Sequence, residues 1–114
     1  MAIRIIKEKI TLDELKEIAK ENFGDMVKGV ADIKERVLAL GGELHADALE
    51  ALIENGSEPE NIWGMNIYPE KPRQSWIEFN SLINIRPTQN NLSMDIQSAE
   101  IKKKVGQIID QLVE

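Results

Sequence analysis

The sequence predicts a single α+β domain over residues 1–114, with a mainly antiparallel sheet and about three helices packed on it. Helix-start residues precede an apolar stripe in three segments, and two other segments alternate apolar and polar residues as half-buried strands do. A chain of 114 residues buries enough surface to fold without disulfides or a structural metal. These observations favour one core built from both kinds of element.

The composition argues against several classes of protein. Apolar residues make up 42% and charged residues 30%, which is ordinary for a globular domain. The absence of cysteine removes disulfides, thiol nucleophiles and thiolate metal sites, and we expect a cytoplasmic location. A net charge of −6 with scattered bases argues against nucleic-acid binding. No segment has the length of a membrane helix or the pattern of a signal peptide, so we expect no membrane partner.

The first two elements are a strand and a helix. Segment 3–8 is β-branched and ends in charged residues, which predicts an edge strand. A helix is predicted over 11–23, because Thr11 and Glu14 form a capping-box pattern and Gly24 follows as a stop. Its expected buried stripe consists of Leu15, Ile18, Ala19 and Phe23.

Segment 25–47 fits two interpretations. Apolar residues recur at helical spacing, at Met26, Val30, Ile33, Val37 and Leu40. An interior glycine and the valine content instead favour two strands joined near 34–36. Periodicity alone favours the helix. In the hairpin alternative, Glu43 and His45 lie on the same face of the second strand.

The second half of the chain carries clearer signals. Asp47 and Glu50 repeat the capping-box pattern and predict a helix that Gly56 ends. Alternation predicts strands over 62–68 and 75–86. A final helix begins after Ser98 as its cap, with an apolar face at Ile101, Val105, Ile108, Ile109 and Leu112.

The polar face of these two strands is a candidate ligand-binding site. It offers amides, a phenol, a carboxylate and a guanidinium, from Asn66, Tyr68, Glu78, Asn80, Asn84 and Arg86. Strand pairing would place Asn66 and Tyr68 beside Glu78 and Asn80. Two interpretations exist for Asn84 and Arg86. They either bind a small anion or carboxylate, or they hold the following loop through hydrogen bonds to its backbone.

Three segments also resemble a known family. "GGELHADALEALIENGS", "WGMNIYP" and "IEFNSLINIRPTQNN" are similar to a family of small prokaryotic proteins known only as a domain of unknown function, over roughly 11–113. The family's counterpart of 26–40 is strand-like, with β-branched pairs and a glycine turn. The resemblance therefore implies a β-hairpin there, and it implies no activity.

The only histidine, His45, has an acid two positions to either side, Glu43 and Asp47. One hypothesis makes His45 a general acid or base assisted by these carboxylates, or part of an oxygen-rich Mg²⁺ or Mn²⁺ site. The structural alternative makes Asp47 a helix cap and pairs His45 with a backbone carbonyl. One histidine and no cysteine fit a zinc site poorly, so no metal or cofactor is predicted.

Two functional hypotheses follow. The first is a non-catalytic binding or assembly module, a homodimer with a protein or small-molecule ligand, whose partner surface uses Trp63 and Trp76 as anchors. The second is a small hydrolase, metal-assisted or histidine-dependent. It predicts a pocket where His45 meets Asn84 and Arg86. We favour the first, because an isolated histidine is usually structural.

Overall fold

The computed structural model describes residues 2–114 and shows the predicted α+β fold, a five-stranded antiparallel sheet with helices on both faces. The strands are β1 (Ile3–Ile6), β2 (Val27–Asp32), β3 (Val37–Gly41), β4 (Ile62–Ile67) and β5 (Ile77–Glu78), in the sheet order β1-β3-β2-β4-β5. The helices are α1 (Leu12–Lys20), α2 (His45–Glu54) and α3 (Ala99–Leu112). Between residues 2 and 114, no helix combines the length and the apolarity that a membrane crossing requires.

The sheet divides the core into two clusters. The larger cluster joins α1 and α3 to one face and includes Leu15, Ile18, Leu38, Leu40, Trp63, Met65, Ile108 and Ile109. On the opposite face α2 packs over the smaller cluster, Val30, Ala39, Ala48, Leu52 and Ile62. The central strands are covered on both sides, so successive residues of β3 are apolar instead of alternate ones, and β2 is apolar at neighbouring positions 29–31.

Segment 25–47 contains the β-hairpin that the family resemblance implies, and the helix that periodicity favours is wrong. Helical spacing arises here because burial on both faces makes apolar residues frequent at every position. Asp32 closes the turn between the two strands. Its Oδ1 accepts hydrogen bonds from the backbone N–H groups of Lys34 at 2.9 Å and Glu35 at 3.0 Å.

The predicted starts of α1 and α3 and the edge position of β1 are confirmed. Thr11 Oγ1 accepts the Glu14 N–H at 3.1 Å, and Ser98 Oγ caps α3 in the same way. Phe23 was wrongly placed in the buried stripe of the first helix. That helix ends at Lys20, and the Phe23 side chain lies beyond it, exposed to solvent.

The long strand predicted over 75–86 is wrong, because only Ile77–Glu78 pair with β4. Ser81 ends the extended segment, since its Oγ accepts the Ile83 N–H at 3.3 Å and starts a 3-10 turn, Leu82–Asn84. This turn lies against β4 at Gly64, where an added Cβ would come within 2.7 Å of the Ser81 Cβ. The close approach therefore requires glycine at this position.

Candidate functional site

A cleft of about 300 Å³ lies between the start of α2, the sheet and the segment 80–83. Polar side chains from neighbouring strands meet at the sheet. Lys28 of β2 pairs directly with Asn66 of β4, which in turn pairs with Glu78 of β5. His45, the first residue of α2, lies beside this row and lines the cleft together with Lys28 and Asn66. The tertiary fold thus brings together residues that are distant in sequence.

The His45 ring is buried, with 8% of its residue surface exposed. Its Nε2 lies 2.8 Å from the Met65 carbonyl oxygen, and because a carbonyl only accepts, Nε2 carries the hydrogen. Burial lowers the pKa of His45 below its ordinary 6.5; the Met65 carbonyl opposes this, Lys28 adds to it, and the Asn66 side chain opposes it. The imidazole is therefore neutral at pH 7, with Nδ1 as an acceptor.

Asn66 is another buried polar residue of the cleft, with 7% of its surface exposed. Its Nδ2 donates to Glu78 Oε1 at 2.8 Å and, over a longer distance of 3.4 Å, to the Asn80 carbonyl. These contacts fix the orientation of the amide. Its Oδ1 has no hydrogen-bond partner among residues 2–114. Neutral His45 provides no donor, because its single N–H is used by Met65. A hydrogen bond to Asn66 needs the protonated ring, which is why the Asn66 side chain opposes the lowering of the His45 pKa.

The rim of the cleft is apolar and exposed. Leu44, Leu82 and Met94 all present exposed side chains, and all three line the opening together with the partly buried Ile83. Exposed apolar groups around a concave polar interior are typical of ligand sites.

The predicted neighbours Asn66, Tyr68, Glu78 and Asn80 are brought together. Glu78 accepts from the Asn66 amide and from the Tyr68 hydroxyl, the latter at 3.4 Å. Burial, followed by the Glu78 charge, raises the pKa of Tyr68. Only Asn66 and Asn80 of this group line the cleft.

Asn84 lies outside the cleft and is fully buried. Its Oδ1 accepts the Gly64 N–H at 2.8 Å, and its Nδ2 donates to the carbonyls of Gly64 at 3.0 Å and Met94 at 3.1 Å. Asn84 therefore connects β4 to the loop that contains Met94.

Arg86 also lies outside the cleft, and its guanidinium faces backbone. It stacks 4.6 Å from the centre of the Trp63 ring and donates to carbonyls of Ile83, Glu60 and Ile62. Burial lowers the pKa of Arg86, partly opposed by Glu60. The interpretation in which these two residues hold the following loop fits Asn84, through Met94, but the Arg86 side chain binds carbonyls that precede the loop. The pocket expected where they meet His45 is not formed, because neither residue lines the cleft.

The "ELHAD" carboxylates do not converge on His45. Asp47 is not the N-cap: Leu44 is, and Asp47 Oδ2 accepts the Leu44 N–H at 3.2 Å from inside the first turn. Glu43 is exposed, and its contact with the cleft is through its backbone carbonyl, which accepts from Lys28 Nζ at 2.7 Å. His45 starts a helix, so its expected strand relation to Glu43 is wrong. Within residues 2–114, no group of three or more histidine and acidic side chains is placed to hold a metal.

The expected partner surface cannot use the two tryptophans as anchors. Trp63 is 1% exposed and Trp76 is 5% exposed, and both belong to the larger core cluster. The Trp76 Nε1–H donates to the Lys71 carbonyl at 2.8 Å, which also ties down the connection before β5. Scarcity of aromatic residues in the sequence does not distinguish a core tryptophan from a surface one.

Sequence patterns alone do not identify several residues of the cleft, among them Lys28, Ser81, Leu82 and Met94. One signal was available in the hairpin. Once β2 is paired with β4, Lys28 is the β2 residue that faces Asn66. Leu82 and Met94 belong to irregular segments, whose facing directions no periodicity predicts.

Comparison with curated proteins and with solved structures gives no match. A family model described as "Protein of unknown function (DUF5674)" matches residues 4–112. That match spans nearly the whole chain, including β2 to β5, all three helices and β1 from Arg4 onward. The chain therefore belongs to the DUF5674 family of proteins of unknown function.

Proposed function

We propose that this protein is a non-catalytic binding module whose ligand site is the cleft beside His45. One observation carries the proposal: an exposed apolar rim surrounds a buried acceptor, Asn66 Oδ1, that has no partner among residues 2–114. Unpaired buried polar atoms cost about 1–3 kcal/mol, and a ligand that satisfies one while covering apolar surface gains on both counts.

The surroundings of His45 support binding over hydrolysis. A catalytic base needs its ring oriented by a partner and a free nitrogen within reach of a nucleophile. Here the Met65 carbonyl orients the ring and leaves Nδ1 free, but neither of the carboxylates expected to assist a base, Glu43 and Asp47, lines the cleft. The neutral ring serves instead as a fixed wall of the site.

Fragment binding, detected by two-dimensional amide NMR, tests this function. We expect binding fragments to shift the amides of Leu44 to Ala46 and Ser81 to Ile83. Ala46→Trp should abolish these shifts, because Ala46 is exposed on α2 and its side chain lines the cleft. Ala99→Trp is the matched control: Ala99 is exposed at the start of α3 and away from the cleft.

Fragments that bind wild type and Ala46→Trp equally, or that shift no cleft amide, would contradict the proposal. Loss of binding in both tryptophan variants would point to a general effect of the substitution. The test is therefore whether Ala46→Trp loses fragment binding while Ala99→Trp keeps it.

Self-association is a second candidate, favoured by the exposed apolar side chains of segment 82–94, which include Leu82, Ile85, Leu92 and Met94. The predicted homodimer would cover this surface. Sedimentation equilibrium from micromolar to near-millimolar concentration tests it. We expect a dimer that Leu92→Ser weakens; a monomer over the whole range would contradict it.

A further inference from the structure

We propose that the cleft takes a neutral, largely apolar molecule that carries a hydroxyl or N–H donor, an inference that rests on the binding function proposed above. The donor group would occupy the inner end beside Asn66 and His45, and the apolar body would lie against the rim. The chemical class follows from the groups that line the cleft.

The inner polar groups call for a donor. Asn66 Nδ2 is engaged by Glu78, so the amide cannot turn over to present its N–H groups to a ligand without losing that contact. Its Oδ1 is left facing no donor among residues 2–114. The His45 ring, with Nε2–H on the Met65 carbonyl, adds a second acceptor in Nδ1. Two acceptors recognise a ligand O–H or N–H.

Because of Ser81, a ligand hydroxyl fits the cleft better than a ligand group that only donates. Its side chain lines the cleft, and its Oγ accepts the Ile83 N–H at 3.3 Å. The Ser81 hydroxyl hydrogen is therefore directed to another acceptor. A ligand hydroxyl both donates and accepts, and so matches this set of groups.

The charge of the lining, a single lysine, argues against a cationic ligand, and the acceptors at the inner end argue against an anionic one. Lys28 is the charged residue of the lining, and no carboxylate side chain lines the cleft, so a ligand cation would meet repulsion without a counter-charge. An anion would meet the lone pairs of Asn66 Oδ1 and neutral His45 at the inner end. Lys28 Nζ donates to the Glu43 carbonyl at 2.7 Å, which directs one of its hydrogens away from a ligand.

Size and surface fit a small ring compound. The volume of about 300 Å³ exceeds the roughly 150 Å³ cavity that holds one benzene in another protein. Leu44, Leu82, Ile83 and Met94 supply the apolar contacts for such a body.

Four probes of similar size separate the alternatives: phenol, toluene, benzylamine and benzoate, each titrated into the wild-type protein and followed by cleft amide shifts. We expect phenol to bind about tenfold tighter than toluene, because only phenol satisfies the buried acceptor. Asn66→Leu should remove this preference while leaving toluene binding intact. If that variant does not fold, the wild-type ratio alone decides.

Equal binding of phenol and toluene in the cleft would overturn the donor inference and leave the binding function standing. Tightest binding of benzoate or benzylamine would overturn it in favour of an ionic ligand. Binding of fragments but of none of these probes would overturn the ligand class alone. Failure of every fragment and every probe at the cleft would overturn the proposed function itself.

Discussion

Two polar clusters on β4 differ in one property. Around Asn84 and Arg86 the side-chain amide and guanidinium are bound to backbone groups of the protein itself. Around Asn66 and His45, a few residues along, an amide oxygen is left without a partner beside an exposed apolar rim. Each cluster contains an asparagine side chain. Polarity alone therefore does not separate a ligand site from a structural one. Unused hydrogen-bonding capacity indicates a candidate site where the residue also lines the cleft, because Trp63 Nε1, beside Arg86, also has no partner among residues 2–114 and Trp63 does not line the cleft.

The largest expected effect is loss of stability in Asn84→Ala. The change leaves both backbone groups of Gly64 without their buried partner, so we expect a loss of about 2–4 kcal/mol in the free energy of unfolding. Urea denaturation measures it. Asn80→Ala, at an exposed position, should stay within about 0.5 kcal/mol. Equal losses of unfolding free energy in the two variants would contradict the structural role of Asn84.

Arg86→Met should cost about 1–3 kcal/mol, because it removes the bonds to three carbonyls and the stacking on Trp63. Arg73→Met is the control. Arg73 also stacks on a tryptophan, Trp76, but it is exposed and pairs with the exposed Asp110, so its loss should stay below about 1 kcal/mol. Thermal unfolding of both variants ranks the two sites, and a reversed order would contradict the structural role of Arg86.

The unfolding free energy should depend on pH through His45. Its pKa is lowered in the folded protein, so its contribution is complete above the unfolded value near 6.5 and is lost as the pH falls below it, where the unfolded chain takes up the proton more readily. Wild type should lose more unfolding free energy than His45→Gln between pH 7.5 and pH 5. Parallel losses would show that the folded protein protonates His45 as easily as the unfolded chain does.

The smallest expected effect concerns the rim. Leu82 and Leu92 are each 71% exposed, but only Leu82 lines the cleft. Leu82→Ser should weaken binding of a cleft ligand about threefold through lost apolar contact, and Leu92→Ser should leave it unchanged. Titration of phenol into both variants measures the difference. Equal weakening would mean that the ligand lies elsewhere on segment 82–94.

The candidate site was predictable only in part. The alternation of β4 and the start of the next strand predicted that Asn66 would meet Glu78; the two residues pair, and Asn66 lines the cleft. The "ELHAD" pattern drew attention to His45 and wrongly attached Glu43 and Asp47 to it. Proximity in sequence suggested partners on the same segment, whereas the residues that lie against His45, Met65 and Asn66, belong to β4.

The amino-acid sequence was sufficient to predict the local features of this protein. Capping residues such as Thr11 and Ser98 bind backbone groups within one turn, and alternation along β4 reflects one strand's own pleat, so both are readable from neighbouring residues. Three features are visible only in the tertiary structure: the hairpin in 25–47, the early end of the strand in 75–86 and the cleft. Each of these depends on which surfaces are buried and which hydrogen bonds are filled by distant residues, and no local spacing records that.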